Sequence, residues 1–189
     1  MMKELALHVL DIAENSVRGD AEAIEIVIEE NLRENRFVIE INDDGRGIAP
    51  ETLKTIKSPF TTSRSHRKVG MGIPFFNDTC EMCGGFLDIQ SEVGVGTKVK
   101  AVMEYESIDR PPLGDIASTL LNLFSSYPDI AFLYRHLYQA KEADEAEEFS
   151  ISTPELDEIL EGVPLSTPSV FVWVKGFIKD SIEELRGES

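Results

Sequence analysis

In "LDIAENSVRGDA", residues 10–21, polar residues stand where a helix would not choose them. Asn and Ser favour caps and turns over helix interiors, because their side chains compete for backbone hydrogen bonds. On a wheel of about 100° per residue, Asp11 lies about 40° from Asn15 and His8 about 20°, whereas Glu14 is about 100° away. His8, Asp11 and Asn15 therefore form one polar stripe, with Glu14 at its edge. A carboxylate and an amide oxygen in line could hold a divalent cation or a water, both hard-oxygen chemistry. Taken alone, the stripe could equally be a solvated helix face.

Three further stretches could bind a ligand. In "INDDGRGIAPE" (41–51) a β-type run ends in Asp43-Asp44 and enters Gly45 and Gly47. Glycines at this spacing let backbone approach a ligand closely, and a strand-end Asp can accept a hydrogen bond from an exocyclic amine; Asp-Gly is also a common tight turn. "SPFTTSRSHRKVGMGIPFF" (58–76) brings Arg64, Arg67 and Lys68 together with Ser and Thr hydroxyls, just after Lys57. Gly70 and Gly72 then lead into a helix N-terminus, where backbone amides and the helix dipole favour a phosphate. The Lys-Ser/Thr ending of a P-loop is missing, and no parallel βαβ setting supports a dinucleotide fingerprint. "SEVGVGTKV" (91–99) is a glycine turn ending in Thr97 at a strand start, which an ordinary hairpin loop would also explain.

The elements that must position these groups follow from periodicity. Apolar residues at 5, 7, 9, 10, 12, 13 and 17 predict a helix over 2–17. "AIEIVIEE" and "RFVIEIND" alternate and are rich in β-branched residues, with "NLREN" as the turn between them. Pro50 opens a short helix, and 73–83 reads as another, ended by Gly84-Gly85. "FLDIQSE" and "TKVKAVMEYE" are strands. The pattern breaks at "DRPPLGD", which divides a domain at 1–108 from a module at 109–189. Beyond it come a helix (115–125), a strand (130–138), an acidic stretch, a short strand at "FSIST", a helix from Pro154 and a last helix from Pro168. Within that last segment "VFVWV" is also compatible with a strand.

Bulk composition narrows the classes. The chain of 189 residues is 42% hydrophobic, enough for a real core, and its apolar runs are too short to span a bilayer. Acidic residues outnumber basic ones 35 to 18, a formal charge of −17 that repels nucleic-acid phosphates and anionic membranes. Direct nucleic-acid or membrane binding is therefore not expected. Two cysteines without a secretion signal point to a reducing cytoplasm.

The order of the pieces is more specific than any of them. An Asn-bearing helix, a strand-end DxGxG, a basic segment, GxG into a helix and GxGT between strands resemble the GHKL superfamily over about residues 3–104. That superfamily includes gyrase-type topoisomerases, heat-shock chaperone ATPases, histidine kinases and mismatch-repair ATPases. The resemblance implies a two-layer α/β sandwich, with a mixed sheet, helices on one face and ATP between them, followed here by a small α+β appendage. It also implies ATP and Mg²⁺ as ligands, with Asn15 as the metal ligand. Asp43 would bind the adenine amine, with Gly45 and Gly47 beside the base. Gly70 and Gly72 would form the turn at the phosphates, Arg64, Arg67 and Lys68 the lid over them, and Thr97 would assist adenine recognition.

The sequence departs from the family in two places. Hydrolysing members carry a Glu general base four residues before the metal Asn; Asp11 stands there, one methylene shorter, and general-base geometry is strict. Lys68 replaces a glycine that some relatives place two residues before the GxG. Histidine kinases hold their phosphoacceptor His on a preceding helical hairpin, whereas here the sequence opens directly on the nucleotide helix. Self-phosphorylation is accordingly not expected, and His8 reads as a buried or positioned residue. Cys80 and Cys83 share a helix face, but no second pair completes a metal site. Three functions follow: an ATP-dependent kinase acting on a Ser or His of a partner protein, an ATPase whose cycle opens and closes a dimer, and a scaffold that has lost ATP. The last fits least, since the adenine Asp, the metal Asn and the glycines are all present.

Overall fold

The computed structural model describes residues 3–56 and 72–188. Helix α1 spans Leu5–Arg18 and buries Leu5, Ala6, Val9, Ile12 and Ala13 along one arc, together with His8 and Ser16. Glu4 provides no side-chain cap. The exposed amides at the helix start are satisfied from far along the chain, with Leu5 and Ala6 each donating at 2.9 Å to the carbonyls of Pro112 and Leu113. Strands β1 (Ala23–Asn31) and β2 (Arg36–Asp43) form an antiparallel hairpin. Next come the short helix α2 (Pro50–Leu53), helix α3 (Gly72–Met82), and the antiparallel strands β3 (Phe86–Glu92) and β4 (Gly96–Glu104).

The segment after residue 109 builds into the same sheet. It contains α4 (Ile116–Ser126), β5 (Ala131–Gln139), β6 (Glu147–Ser152), α5 (Thr153–Leu160) and α6 (Pro168–Leu185). The strand order is β3-β4-β2-β1-β5-β6, with β5 parallel to β1 and the other pairs antiparallel. "VFVWV" is helical, because Val174, Ile178 and Ile182 bury one α6 face at helical spacing and Pro168 starts the helix with its φ already set.

Alternation settles which sheet face is covered. Ile24, Ile26 and Ile28 of β1, Phe37, Ile39 and Ile41 of β2, and Phe132 and Tyr134 of β5 are buried in one core with residues of α1, α3, α4 and α6. The intervening positions carry charge on the open face, where Lys98 and Lys100 meet Glu40, and Arg135 meets Glu25 and Glu148. The expected α/β sandwich, with a mixed sheet and helices on one face, is thus the architecture, and β5 and β6 prolong its sheet.

One polar chain crosses this core. The Tyr134 hydroxyl lies 2.6 Å from His136 Nδ1, and His136 Nε2 lies 2.7 Å from Glu30 Oε1. Arg186, at the end of α6, donates Nε to the same Glu30 oxygen at 2.8 Å and forms a second bond through its Nη2. Burial holds the His136 imidazole below its ordinary pKa. The neutral ring then accepts from the tyrosine and donates to the carboxylate, so every group has its partner.

Candidate functional site

Helix α1 presents its polar stripe toward α3. Asn15 Oδ1 accepts from Arg18 Nη1 at 2.9 Å, and its Nδ2 is buried with no hydrogen-bond partner among the described residues. Arg18 also donates to Glu14 at 2.7 Å. Glu14 is thereby tied to a surface ion pair. Asp11 Oδ2 is a second buried atom without a partner among the described residues. It lies against the first residue of α3: a Cβ on Gly72 would fall 1.5 Å from it. Burial raises the Asp11 pKa, with nearby Arg18 opposing the shift. His8 stacks on Phe76 at 4.4 Å between ring centroids, and its Nδ1 too is buried without a partner among the described residues. Burial depresses its pKa to about 4, so this imidazole is neutral in the fold.

Asp43 closes the opposite wall. Its register partner across the sheet is Thr97, and Oδ1 accepts the Thr97 amide at 3.1 Å and the Gly45 amide at 3.0 Å. Oδ2 accepts the Ser16 hydroxyl at 2.5 Å, which bridges α1 to the end of β2. Three donors fix the carboxylate, and an ionised carboxylate has about four acceptor positions, so one remains for a ligand donor. The Thr97 hydroxyl pairs with Ser91 Oγ at 2.9 Å, and Ser91 also accepts the Ile48 amide at 2.8 Å. Gly47 has φ +71°, and a Cβ there would approach the Glu92 carbonyl to 2.1 Å. The loop after Asp43 therefore requires this glycine to lie against the β3–β4 turn.

Between these walls lies a pocket of about 350 Å³, within the usual size of small-molecule sites. Asn15, Asp43, Gly47 and Thr97 line it, and Ile12, Ile48, Ile73 and Val99 give it an apolar floor. Gly45 stands behind Asp43, while Asp11 and Gly72 meet at the start of α3 beyond the lining. Arg64, Arg67, Lys68 and Gly70 lie outside the described residues. Residue patterns alone did not assign Ser16 or Arg18 to the site. The signals were present: a serine in a helix interior next to Asn15, and an arginine three and four residues after Asn15 and Glu14, the spacing at which helix side chains meet. Cys80 and Cys83 are both buried and unbridged, and burial raises the Cys83 thiol pKa.

Residues 3–107 match the family described as histidine kinase-, DNA gyrase B- and HSP90-like ATPases. Among curated relatives, sporulation kinase D of Bacillus subtilis is 32% identical over 91 residues, covering 48% of this chain and 18% of that protein. The autoinducer 2 sensor kinase/phosphatase LuxQ of Vibrio cholerae serotype O1 is 32% identical over 81 residues, 40% of this chain and 10% of that protein. Sensor protein SrrB of Staphylococcus aureus is 33% identical over 94 residues, 46% of this chain and 16% of that protein. The chain thus spans less than a fifth of each of these relatives. A solved structure of the Aquifex aeolicus MutL ATPase domain complexed with ADP matches with a TM-score of 0.48 and 15% identity, over 85% of this chain and 70% of that one. The N-terminal domain of a DNA repair protein matches with a TM-score of 0.47 and 16% identity, over 79% of this chain and 52% of that one. With more than half of its residues matched, from the start of α1 to just past β4, the chain belongs to the histidine kinase-, DNA gyrase B- and HSP90-like ATPase family.

Proposed function

We propose that the chain is an Mg²⁺-dependent, ATP-binding regulatory protein that transfers a phosphoryl group to a Ser or His of a partner protein in the cytoplasm. The observation that carries this reading is one pocket lined by both Asn15 and Asp43, with a carboxylate held by three donors at one wall and the orphaned amide nitrogen of Asn15 at the other. Ile48, Ile73 and Val99 would hold the adenine, and the free acceptor position of Asp43 would take its amine. Gly45, Gly47 and Thr97 shape that end. Asn15 Oδ1 has two lone pairs, of which Arg18 takes one, leaving the other for the metal. Bound Mg²⁺ supplies charge neutralisation at the phosphates. Arg64, Arg67 and Lys68 furnish the positive charge over them, and Gly70 and Gly72 the turn that lets backbone amides approach. Residues 109–189 serve as the module that meets the partner.

A second reading is favoured by Asp11. Its raised pKa makes it a better base, and it lies against Gly72, at the helix start assigned here to the phosphates. On that reading the chain is a slow ATPase whose nucleotide cycle gates a protein interaction or a dimer. Incubating the chain with γ-labelled ATP and size-fractionated lysate separates the two. Label on a Ser or His of another protein supports transfer, whereas free phosphate released without an acceptor, and abolished by Asp11→Asn, supports hydrolysis. Absence of ATP binding by calorimetry sinks both.

A further inference from the structure

We infer that strand β6 and the exposed aromatic stripe of α6 form a docking surface for a cationic segment of a partner protein that carries aliphatic and basic residues on one strand face, added as a seventh strand. β6 is the last strand of the sheet order, so one of its edges has no strand partner among the described residues. Such an edge presents a row of unpaired amides and carbonyls, which is a template for strand addition. Beside it α6 turns outward two large aromatic residues, Trp173 at 52% and Phe177 at 46% exposure. They stack on each other at 6.2 Å, and Phe177 meets Phe149 of β6 edge-on at 5.8 Å. The exposed rings are therefore continuous with the edge strand, on the sheet face covered by helices. Trp and aromatic anchors of this kind dominate binding surfaces.

Charge selects the partner. Residues 140–188 hold 13 acidic against 4 basic side chains. Glu147 of β6 and Asp180 and Glu184 of α6 make no ion pair among the described residues, whereas Lys175 and Lys179 are paired with Asp115 and Glu183. A second copy of this chain would bring the same uncompensated acids to the surface, which argues against self-association. Glu147 and Phe149 share the face of β6 that α6 covers, so a seventh strand carrying on that one face aliphatic residues opposite the rings and lysines or arginines opposite the acids satisfies the edge, covers the rings and neutralises the acids at once.

Trp173 is the chain's single tryptophan, so its emission reports on the patch directly. The probe is a short capped peptide whose alternate residues, on one strand face, are valines at one end and lysines at the other, with threonine between them, titrated into the chain. The expected result is a blue shift of Trp173 emission. Affinity should fall at least about tenfold in Phe177→Ala and in the double variant Asp180→Lys/Glu184→Lys. A peptide N-methylated at alternate amides should lose binding by a similar factor, because strand pairing needs those donors. Asp88→Lys, on the strand at the opposite edge of the sheet, controls for attraction to net charge and should change affinity less than about threefold. The proposal is overturned if the emission does not move, if Asp88→Lys weakens binding as much as the α6 reversals, or if the N-methylated peptide binds equally well. Concentration-dependent dimerisation lost in Trp173→Ala also overturns it, by giving the surface to a second copy.

Discussion

Two groups of buried polar side chains lie on the helix-covered side of the sheet, and they are built in opposite ways. In the Tyr134–His136–Glu30–Arg186 chain every side chain has a partner, and Glu30 alone takes bonds from two residues. Along α1, by contrast, His8 Nδ1, Asp11 Oδ2 and Asn15 Nδ2 are buried with no partner among the described residues. Leaving such groups unsatisfied costs about 1–3 kcal/mol each, and native proteins rarely tolerate a run of them. The contrast separates a polar group kept for the fold from one kept for a ligand. The first network ties the end of α6 to β1 and β5. The second runs along α1 from beneath α3 to the pocket that Asn15 lines.

That contrast breaks most sharply under substitution. Glu30→Ala removes a buried carboxylate and leaves the Arg186 guanidinium and the His136 ring without their acceptor. We expect a loss of about 3–5 kcal/mol in urea denaturation, with nucleotide affinity of the remaining folded protein unchanged. Asn15→Ala gives up one bond to a half-exposed arginine and relieves an orphaned amide. It should cost less than about 1 kcal/mol while abolishing Mg²⁺-dependent ATP binding in calorimetry. If the two variants lost similar stability, or if Glu30→Ala lost ATP binding while folded, the division between fold and ligand would be wrong.

Acid sharpens the comparison with a smaller effect. Burial lowers the folded-state pKa of His8 from 6.5 to about 4, so between these values the unfolded chain binds a proton that the native chain refuses. The His8 contribution is complete above pH 6.5 and is lost as pH falls toward 4, roughly 3 kcal/mol in all. Glu30 adds to the loss at the acid end: its pKa lies below 4.5, lowered by the His136 hydrogen bond and Arg186 against the opposing effect of burial, so its stabilisation disappears as it protonates. His8→Phe keeps a ring against Phe76 and should flatten stability between pH 6.5 and 4.5. An unchanged pH profile in that variant would remove His8 as the cause.

How much of this was legible in the sequence depends on the range of the interaction. The α1 stripe, the strand-end Asp43, and the positions of Gly47 and Thr97 follow from local periodicity and turn chemistry, and Asn15, Asp43, Gly47 and Thr97 do line one pocket. The wheel also sets Glu14 apart from Asn15, and Glu14 is not among the residues that line the pocket. What was not legible is long-range. Nothing in "DRPPLGD" says that its carbonyls will satisfy the first amides of α1. Parallel pairing of β5 with β1 leaves no mark in either strand, since both simply alternate. Glu30, His136 and Arg186 are far apart in the chain, and only the fold gives them one another. The helix from Pro168, by contrast, is legible, and burial of Val174 and Ile178 decides "VFVWV" for it against local β-propensity.

The smallest expected effect tests the finest part of the site, the short bond between Ser16 and Asp43. Ser16 belongs to α1, the helix of the orphaned stripe, yet it is satisfied, because its hydroxyl both reaches Asp43 Oδ2 and lies 3.4 Å from the Ile12 carbonyl. It is where the two modes of construction meet. Ser16→Ala leaves Asp43 with the Gly45 and Thr97 amides on Oδ1 and nothing from α1 on Oδ2. Stability should fall by only about 1 kcal/mol. If Asp43 reads the exocyclic amine of adenine, loosening it should weaken ATP binding about five- to tenfold and leave ITP, which has a carbonyl there, nearly unchanged. The measured quantity is the ratio of the two affinities, which a loss of general pocket shape would not move. Equal weakening of ATP and ITP would make Ser16 a packing residue and return the base-reading role to Asp43 and its backbone donors alone.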